Sequence, residues 1–364
     1  MCVFSIIIVV FNSVNTIENA IESFINQNFS SKELIIIDGG SKDGTVDVIK
    51  KHAEYIAYWV SEPDCGIYDA MNKGIAHATG QYIAFLGADD YFIENSLENV
   101  SEIVKKNSSN RLFCFNVYWA LEDEIISVPV QAGFYDPEQL RYNVNVFPHQ
   151  AVFAKRELFA EYGLFNTEYK ILSDYEWLLR IYNLGEKFYS ENIQVVVFGK
   201  SGISSVQRKN ALLECGKIMC KAAKGIYKLP YQYTASQISH RFFASLLDYL
   251  NTEEEMKFTQ RVIRSFEKKN IIIFGSGNNG VSCFKWLEKC AIAVTEFWDN
   301  GVLQKKEVLG KPVRKPRLAS NADDIIIITC YEAFFEVHNQ LESLGYQFEK
   351  DFIGAGALVL GCGE

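Results

Sequence analysis

Carboxylates that could serve in a catalytic site follow several apolar segments of this chain. Asp38, Asp64 and the Asp89-Asp90 pair each stand just beyond such a segment, and Asp174 opens a later amphipathic one. A lone Asp in such a loop most often forms a turn. Successive acidic loops indicate more than turn formation, because carboxylates bind hard divalent cations and accept protons from hydroxyl groups.

The elements that must position these carboxylates follow from hydrophobic periodicity. Four short apolar runs are typical of strands buried on both faces of a parallel sheet. They are residues 5–10, 34–37, 56–60 and 82–86. Helical patterns at 17–25 and 67–78 lie between them, which predicts a doubly wound α/β fold. Ligands of such folds bind beyond the carboxyl ends of the strands, where the first acidic loops stand.

The pattern changes further along the chain. A hairpin, two helices and another strand are predicted at residues 114–130, 156–161, 174–184 and 193–198. Residues 205–268 show only helical patterns, and a second α/β pattern starts near residue 270. We therefore predict a first domain, a helical connector and a second, smaller Rossmann-like α/β domain, at residues 1–205, 206–269 and 270–364.

The composition excludes several classes of protein. A net charge of −9 argues against nucleic acid as the main ligand. The nine cysteines include no CxxC pair and no histidine at zinc-finger spacing, so neither a disulfide framework nor structural zinc is expected. No apolar run approaches the roughly 20 residues that span a bilayer, and residues 2–11 lack the features of a signal peptide. We expect a cytoplasmic protein.

Four segments of the first domain carry a family resemblance. They are SIIIVVFN (5–12), ELIIIDGGSKDGT (33–45), SEPDCGIYDAMNKGIAHATGQYIAFLGADD (61–90) and SDYEWLLRI (173–181). Together they resemble the inverting glycosyltransferases of family 2, and the resemblance implies a GT-A doubly wound mixed sheet. No QxxRW element follows Asp174, which argues against a processive synthase.

The resemblance also implies a nucleotide-sugar donor, with UDP as the expected nucleotide. It places around that donor Val10, Phe11, Asn12, Asp38, Gly39 and Asp89. Phe11 would lie against the base, Asp38 would accept the N3–H of a uracil or thymine, and Asp89 would bind ribose. Asp90 would hold Mg²⁺ or Mn²⁺ against the diphosphate, where the ion neutralises the charge of the leaving group.

Asp174 stands at the catalytic base position that the resemblance implies. Inversion by a single displacement needs one carboxylate beside the acceptor hydroxyl, opposite the leaving group. As an alternative, Asp174 caps the helix 174–184, and Glu176 is then the next candidate for the base.

Three further side chains have a functional and a structural interpretation. His149, in a His-Gln pair, would line the donor or acceptor pocket, or would be an ordinary structural histidine. Asp64 and Lys73 would contact ribose or diphosphate, or would be a loop cap and a surface lysine.

The connector is basic, with 13 Lys and Arg against 6 Asp and Glu over residues 200–270, and aromatic residues are interleaved among them. Basic helices with aromatic residues can lie on anionic membranes. We therefore expect peripheral contact with the inner face of the membrane through this segment; the alternative is that the aromatic residues pack inward and the lysines are solvated. A homo-oligomer through the connector or the second domain is a further possibility.

The second domain opens with Gly275-Ser276-Gly277-Asn278-Asn279-Gly280, a G-x-G-x-x-G sequence between a strand and a helix, with Asp299 after the next strand. This context is typical of a dinucleotide site and favours NAD or a nucleotide. The domain has no evident hydride-transfer residues, so a structural or oligomerising role stays open.

From these features we predict a metal-dependent inverting hexosyl- or N-acetylhexosaminyltransferase of polysaccharide biosynthesis. It would transfer sugar from a nucleotide sugar to a hydroxyl of a glycan or lipid-linked saccharide acceptor. The first alternative is an inactive nucleotide-sugar-binding or scaffold protein of a glycan assembly. An NAD-dependent oxidoreductase centred on residues 275–280 would leave the first 200 residues unexplained.

Overall fold

The computed structural model describes most of the chain, in nine stretches. They are residues 3–121, 124–127, 148–199, 207–221, 253–266, 268–301, 306–319, 323–330 and 333–358. The chain divides into two compact units, residues 1–214 and 215–364, each with its own sheet. The predicted α/β class with a second, smaller α/β part is confirmed, whereas the boundaries at 205 and 269 stay predictions. No helix of the described residues is long and apolar enough to cross a membrane.

Four parallel strands form the first half of the larger sheet, in the spatial order β3-β2-β1-β4. They are β1 (Phe4–Val10), β2 (Lys32–Asp38), β3 (Tyr58–Ser61) and β4 (Tyr82–Gly87). Three helices connect them, α1 (Ile17–Ile25), α2 (Thr45–Lys51) and α3 (Ile67–His77). All seven residues of β1 are buried, which explains why its sequence is continuously apolar rather than alternating.

Helices cover both faces of this sheet. One face of β1 packs into a core with α1, whose buried residues recur at helical spacing, and with α4 (Ser96–Lys106). On the other face Ile7 contacts Gly74 of α3. α4 was not predicted, although its buried Leu97, Val100 and Val104 recur at the spacing of a helix.

Five more strands extend the sheet and make it mixed. They are β5 (Tyr91–Phe92), β6 (Leu112–Leu121), β7 (Glu124–Ser127), β8 (Val152–Lys155) and β9 (Phe188–Phe198). The predicted hairpin is present as antiparallel β6 and β7, while its turn and residues 128–130 lie outside the described residues. β8 runs antiparallel to both β4 and β6, and β9 is parallel to β6. β9 therefore ends at the same edge of the sheet as β1 to β4.

Three helices complete the first unit or lead out of it. They are α5 (Arg156–Tyr162), α6 (Ser173–Asn183) and α7 (Arg208–Lys221). The division between the two units falls within α7. Residues 200–206 and 222–252, which include half of the predicted connector, lie outside the described residues, so the expected membrane contact stays a prediction.

The second unit has a six-stranded sheet in the order β12-β13-β11-β10-β14-β15. Its strands are β10 (Asn270–Phe274), β11 (Glu296–Trp298), β12 (Glu307–Val308), β13 (Lys311–Arg314), β14 (Asp324–Ile328) and β15 (Phe352–Gly354). Its helices are α8 (Glu253–Ser265), α9 (Asn278–Lys289) and α10 (Phe334–Ser343). The parallel core of β10, β11 and β14 was predicted; the short outer strands were not, because they carry little hydrophobic signal.

Candidate active site

Asp38 ends β2 and is completely buried. Its Oδ2 accepts hydrogen bonds from the backbone N–H groups of Gly40 (3.1 Å) and Ser41 (3.0 Å) and from the Ser61 hydroxyl (2.6 Å), while the Ser41 hydroxyl donates to Oδ1. The carboxylate thus fixes the loop after β2. Because the carboxylate is completely buried, a nucleobase could reach it only if neighbouring side chains moved, so its predicted role in base binding stays a prediction.

Three other residues predicted to bind the nucleotide-sugar donor lie together beyond β1 and β2. Phe11 is 62% exposed, and a Cβ atom on Gly39 would stand 3.3 Å from its ring and 2.6 Å from Asp64 Oδ2. A side chain at position 39 would therefore force the Asp64 carboxylate and the Phe11 ring to move. The backbone N–H of Gly66 donates to Asp64 Oδ1 at 2.8 Å, as expected of a loop cap. An exposed aromatic ring beside a carboxylate suits the base and ribose of a nucleotide.

The loop next to this cluster is held by the backbone carbonyl of Val10 and the side chain of Asn12. The carbonyl of Val10 accepts from Gly39 N–H at 2.9 Å. Asn12 Oδ1 accepts from the backbone N–H of Lys42 at 2.9 Å. These contacts join the ends of β1 and β2 and give both residues a positioning function in the structure.

Lys73 on α3 pairs with Glu62 at 2.8 Å and with Asp69 at 3.5 Å. The hydrogen bond to Glu62 raises the pKa of Lys73, with both carboxylates adding to the effect against burial. The ammonium group is therefore engaged by acidic neighbours, and contact with a diphosphate would need it to exchange partners.

Asp89 and Asp90 follow β4 directly, at the edge where the parallel strands end. Asp90 is buried, and its oxygens accept from the backbone N–H groups of Gly87 (3.1 Å) and Gly199 (2.7 Å). Asp89 is half-buried; a Cβ atom on Gly87 would collide with Asp90 Oδ2 and approach Asp89 Oδ1 within 3.2 Å. Both carboxylates thus converge on the space above Gly87.

This pair has the donor chemistry that a hard divalent cation requires. Burial raises the pKa of Asp90 to about 6, and the charge of Asp89 adds to the rise against the two backbone donors. Two adjacent carboxylates with unfavourable mutual charge are the oxygen ligands that Mg²⁺ and Mn²⁺ prefer. The residues therefore fit such an ion.

Asp174 lies in the first turn of α6 and is held by two side chains from distant parts of the sequence. His149 Nδ1 is 2.9 Å from its Oδ2, and the Tyr68 hydroxyl is 2.7 Å from its Oδ1. Burial favours the neutral acid, yet the charge and hydrogen bond of His149 and the hydroxyl of Tyr68 hold the pKa of Asp174 below its usual value. α6 begins at Ser173, and its N-cap position is Leu172. Asp174 is therefore the second residue of the helix and not its N-cap, so the helix-cap alternative is wrong.

Glu176 is less accessible than Asp174. It is buried and pairs with Arg180 at 3.1 Å. The alternative base is thus already engaged by a guanidinium group.

Glu214 on α7 holds the segment that leads into α6, a function the sequence did not reveal. Its carboxylate accepts from the backbone N–H groups of Lys170 (2.5 Å), Ile171 (2.8 Å) and Leu172 (2.9 Å). Asp174 follows this segment directly, so Glu214 fixes the start of the helix that carries it.

Two features of the first unit lie apart from these residues. Glu18, Glu22 and His52 bring three ligating atoms within 4.8 Å of one another, but Lys51 pairs with Glu18 at 2.5 Å. A cavity of about 790 Å³ is lined by Gln81, Arg156 and Phe159, among others, and includes none of the predicted site residues.

The G-x-G-x-x-G loop of the second unit stands between β10 and α9, as predicted, beside a cavity of about 190 Å³. Asp299 does not extend into open space there. Its Oδ2 accepts from the backbone N–H of Ser276 at 3.0 Å and from the Ser276 hydroxyl, and its Oδ1 accepts from Gly301 N–H at 2.8 Å. The carboxylate that would meet a ribose is bonded to the loop itself.

Comparisons with known proteins agree with this architecture. The model of the family "Glycosyl transferase family 2" matches residues 5–163. The "PGL/p-HBAD biosynthesis glycosyltransferase Rv2957" of Mycobacterium tuberculosis is 32% identical over 187 residues, which are 50% of this chain and 70% of that protein. The "Uncharacterized glycosyltransferase RP339" of Rickettsia prowazekii is 24% identical over 314 residues, 78% of this chain and 96% of that one. The chain belongs to glycosyl transferase family 2, and it is a glycosyltransferase.

Solved structures share the fold. Residues 1–349 of Staphylococcus aureus TarS, crystallised in complex with UDP-GlcNAc, superpose with a TM-score of 0.56 at 16% identity, covering 73% of this chain and 81% of that one. The match spans 49% of the longer TarS chain. This likeness confirms the GT-A fold that the four sequence segments predicted.

Proposed function

We propose that the chain is a metal-dependent inverting glycosyltransferase that uses a nucleoside-diphosphate sugar, with UDP as the expected nucleotide. The observation that carries the proposal is geometric: Asp90 follows β4, His149 precedes the antiparallel strand β8 at the same edge of the sheet, and His149 Nδ1 lies 2.9 Å from Asp174 Oδ2. A carboxylate suited to a cation and a carboxylate suited to a base are therefore both associated with this edge.

Two sources support the choice of donor. The exposed ring of Phe11 beside Asp64 offers a face for a base and an oxygen for a ribose. TarS, which has the same fold, binds UDP-GlcNAc. The acceptor is proposed from the family resemblance as a hydroxyl of a glycan or of a lipid-linked saccharide.

The reaction is a single displacement at the anomeric carbon. Asp90, with Asp89 beside it, would hold Mg²⁺ or Mn²⁺. The bound ion would neutralise the charge that develops on the departing diphosphate. Asp174 is the carboxylate on which deprotonation of the acceptor hydroxyl depends, and attack from the face opposite the diphosphate inverts the configuration.

The first test is a donor screen with purified protein. UDP-, dTDP- and GDP-sugars are incubated with Mn²⁺ or Mg²⁺, and release of the nucleoside diphosphate is followed. We expect metal-dependent release from one donor, its loss in Asp90→Asn, and its retention in the matched control Asp47→Asn on the exposed side of α2.

Binding measurements complete the test. Asp174→Asn should lose transfer while metal-dependent nucleotide binding is retained, because Asp174 acts on the acceptor. Absence of both metal-dependent release and metal-dependent nucleotide binding would overturn the proposal in favour of a scaffold protein of a glycan assembly.

For the second unit we propose a structural role rather than NAD binding. The Asp299 carboxylate accepts a hydrogen bond from the backbone N–H of Ser276 in the loop. Its negative charge therefore lies beside a loop whose N–H groups a phosphate would need as donors. Titration of the whole protein with NAD and with nucleotide sugars tests this, as set out in the Discussion.

A further inference from the structure

The side chain of Lys170 connects two parts of the first unit that the proposed reaction uses. Lys170 stands three residues before α6, and its Nζ donates hydrogen bonds to the carbonyl oxygens of Thr167 at 2.9 Å and of Cys65 at 3.1 Å. Thr167 is a local partner, whereas Cys65 is 105 residues away in sequence. The hydrogen bond to Cys65 therefore joins the segment before α6 to the loop that precedes α3.

The loop that receives this hydrogen bond, residues 64–66, carries Asp64. Asp64 Oδ1 accepts from the backbone N–H of Gly66 at 2.8 Å, and the backbone N–H of Cys65 donates to Asp69 Oδ2 at 3.0 Å. A Cβ atom on Gly66 would stand 3.8 Å from Lys170 Cδ, so the lysine stem passes close to this glycine. The ammonium group thus holds the residue next to the carboxylate that is proposed to contact ribose.

The backbone of Lys170 belongs to the segment that leads into α6. The backbone N–H groups of residues 170–172 donate to Glu214, and Asp174 lies in the first turn of the helix that follows. Lys170 therefore has its main chain fixed on the side of the proposed base and its ammonium group fixed on the side of the proposed donor.

The Tyr68 hydroxyl also holds this segment, but from α3 and not from the loop. It donates to the carbonyl oxygen of Ile171 at 2.6 Å. Within the described part of the chain, Lys170 makes the one side-chain hydrogen bond between the segment and residues 64–66. The position of the loop relative to α6 therefore depends on this lysine in a way that the position of α3 does not.

We propose that Lys170 is a positioning residue: its hydrogen bond to the Cys65 carbonyl fixes the Asp64 carboxylate relative to the helix that carries Asp174. This inference rests on the proposed function and adds to it a residue that sets the affinity for the nucleotide. A loop that is fixed before the donor arrives does not have to be ordered when the donor binds, and affinity rises accordingly.

An ammonium group on a long stem suits this contact. Hydrogen bonds from a charged donor contribute more than those between neutral groups. Among the residues that the structure describes, no carboxylate pairs with Lys170, and both of its acceptors are backbone carbonyls. The contact is therefore directed at the main chain of the loop, whose course it determines.

Kinetics and binding, measured on the whole protein, test this role. We expect Lys170→Met to weaken metal-dependent UDP binding and to raise the KM of donor hydrolysis about tenfold. kcat should be nearly unchanged, because Asp174 keeps its contacts with Tyr68 and His149. Lys170→Arg, which keeps a charged donor, should recover most of the loss, and Lys187→Met at an exposed position is the matched control. Wild-type UDP affinity and KM in Lys170→Met would overturn the inference.

A double-mutant cycle separates positioning of the carboxylate from a general loosening of the fold. Asp64→Ala should weaken UDP binding, and adding Lys170→Met to it should cost little more, because the lysine acts through Asp64. A merely structural role would give additive losses. Additive losses, or an Asp64→Ala variant with wild-type affinity, would contradict the proposal.

Amide hydrogen exchange follows the loop itself and needs no donor. The N–H groups of Cys65 and Gly66 should exchange faster in Lys170→Met than in the wild type or in Lys187→Met. Exchange at the wild-type rate in Lys170→Met would also overturn the inference. Failure of the proposed function is a different result, in which the wild type itself neither binds nor hydrolyses a donor, and the exchange rates still report on the contact of Lys170.

Discussion

Asp90 is a buried carboxyl with two backbone donors, and burial raises its pKa although the donors oppose the rise. Its pKa of about 6 lies above the usual 3.8. A raised carboxyl pKa contributes stability that is present below pH 3.8 and is lost as the pH rises through 6. Near neutral pH the buried, ionised carboxylate therefore lowers the free energy of unfolding, and a bound ion would offset this loss.

The first prediction concerns the pH dependence of metal binding. Because protons compete with the ion for Asp90 below pH 6, we expect Mn²⁺ to bind about tenfold more weakly at pH 5 than at pH 7. Isothermal titration at the two pH values measures this. Asp47→Asn should behave as the wild type, and an affinity independent of pH would show that Asp90 is not a ligand.

The second prediction concerns Tyr68, whose hydroxyl lies 2.7 Å from Asp174 and 2.6 Å from the carbonyl oxygen of Ile171. Removing a hydrogen bond to a charged group typically costs about 1.5–3 kcal/mol. Tyr68→Phe should therefore lower kcat about tenfold or more and leave UDP binding unchanged. Tyr58→Phe is the matched control, since that ring stacks on His77 away from Asp174. Equal kcat values for the two variants would contradict a role for the hydroxyl.

At the residue scale the sequence revealed the types of the site residues better than their partners. The acidic residues follow strands as predicted, because apolar runs mark the strand ends. Periodicity carries no information on which side chains the fold brings together. It could not predict that Asp38 accepts hydrogen bonds from Ser41 and Ser61, or that Asp174 accepts one from Tyr68. Tyr68 lies within a segment that carries the family resemblance, and that was its one signal.

Among the elements, α6 depends on a contact from α7. Glu214 is buried and accepts three backbone N–H groups just before α6 begins. No motif marks Glu214, because a carboxylate on a helix is most often solvated, and so this support was invisible in the sequence.

The third prediction is that Glu214→Ala weakens both stability and catalysis. Three backbone N–H groups, one of them buried and two partly buried, would lose their acceptor, which should destabilise the first unit by about 2 kcal/mol and lower Tm by about 5 °C. Thermal unfolding and donor hydrolysis measure the two effects. Lys217→Ala, at an exposed position of the same helix, serves as the control. A Tm equal to that of the control would show that the contact is dispensable.

At the scale of the whole molecule, apolar runs and turn residues were sufficient to predict two α/β parts, whereas the GT-A class was predicted from the family resemblance of four segments. The outer strands β5, β12, β13 and β15 were missed, because two to four residues of mixed character give no periodic signal. In both glycine-containing loops the nearby carboxylate accepts hydrogen bonds from its own loop, Asp38 from Gly40 and Ser41 and Asp299 from Ser276. Such contacts leave no periodic signal in the sequence, so neither could be predicted.

The fourth prediction separates the ligands of the two units. Titration of the full chain should show metal-dependent UDP binding that Asp90→Asn abolishes. Gly277→Ala should leave it unchanged, because a Cβ atom at Gly277 meets nothing within 4 Å. NAD should give no binding to the wild type. NAD binding that is altered in Gly277→Ala would contradict the structural role proposed for the second unit.

The contacts that complete the site also have a consequence for how the protein is made. Gly199 and Asp90 are 109 residues apart in sequence, and Tyr68 and Asp174 are 106 apart. Contacts of such long separation form late in folding, because the intervening chain must be ordered first. A nascent chain that has emerged only as far as β4 can pair its parallel strands, but its acidic pair lacks the Gly199 amide and its base has not been synthesised. Catalytic competence therefore arrives only with the last strand and helices of the first unit, and the last strand also completes its core.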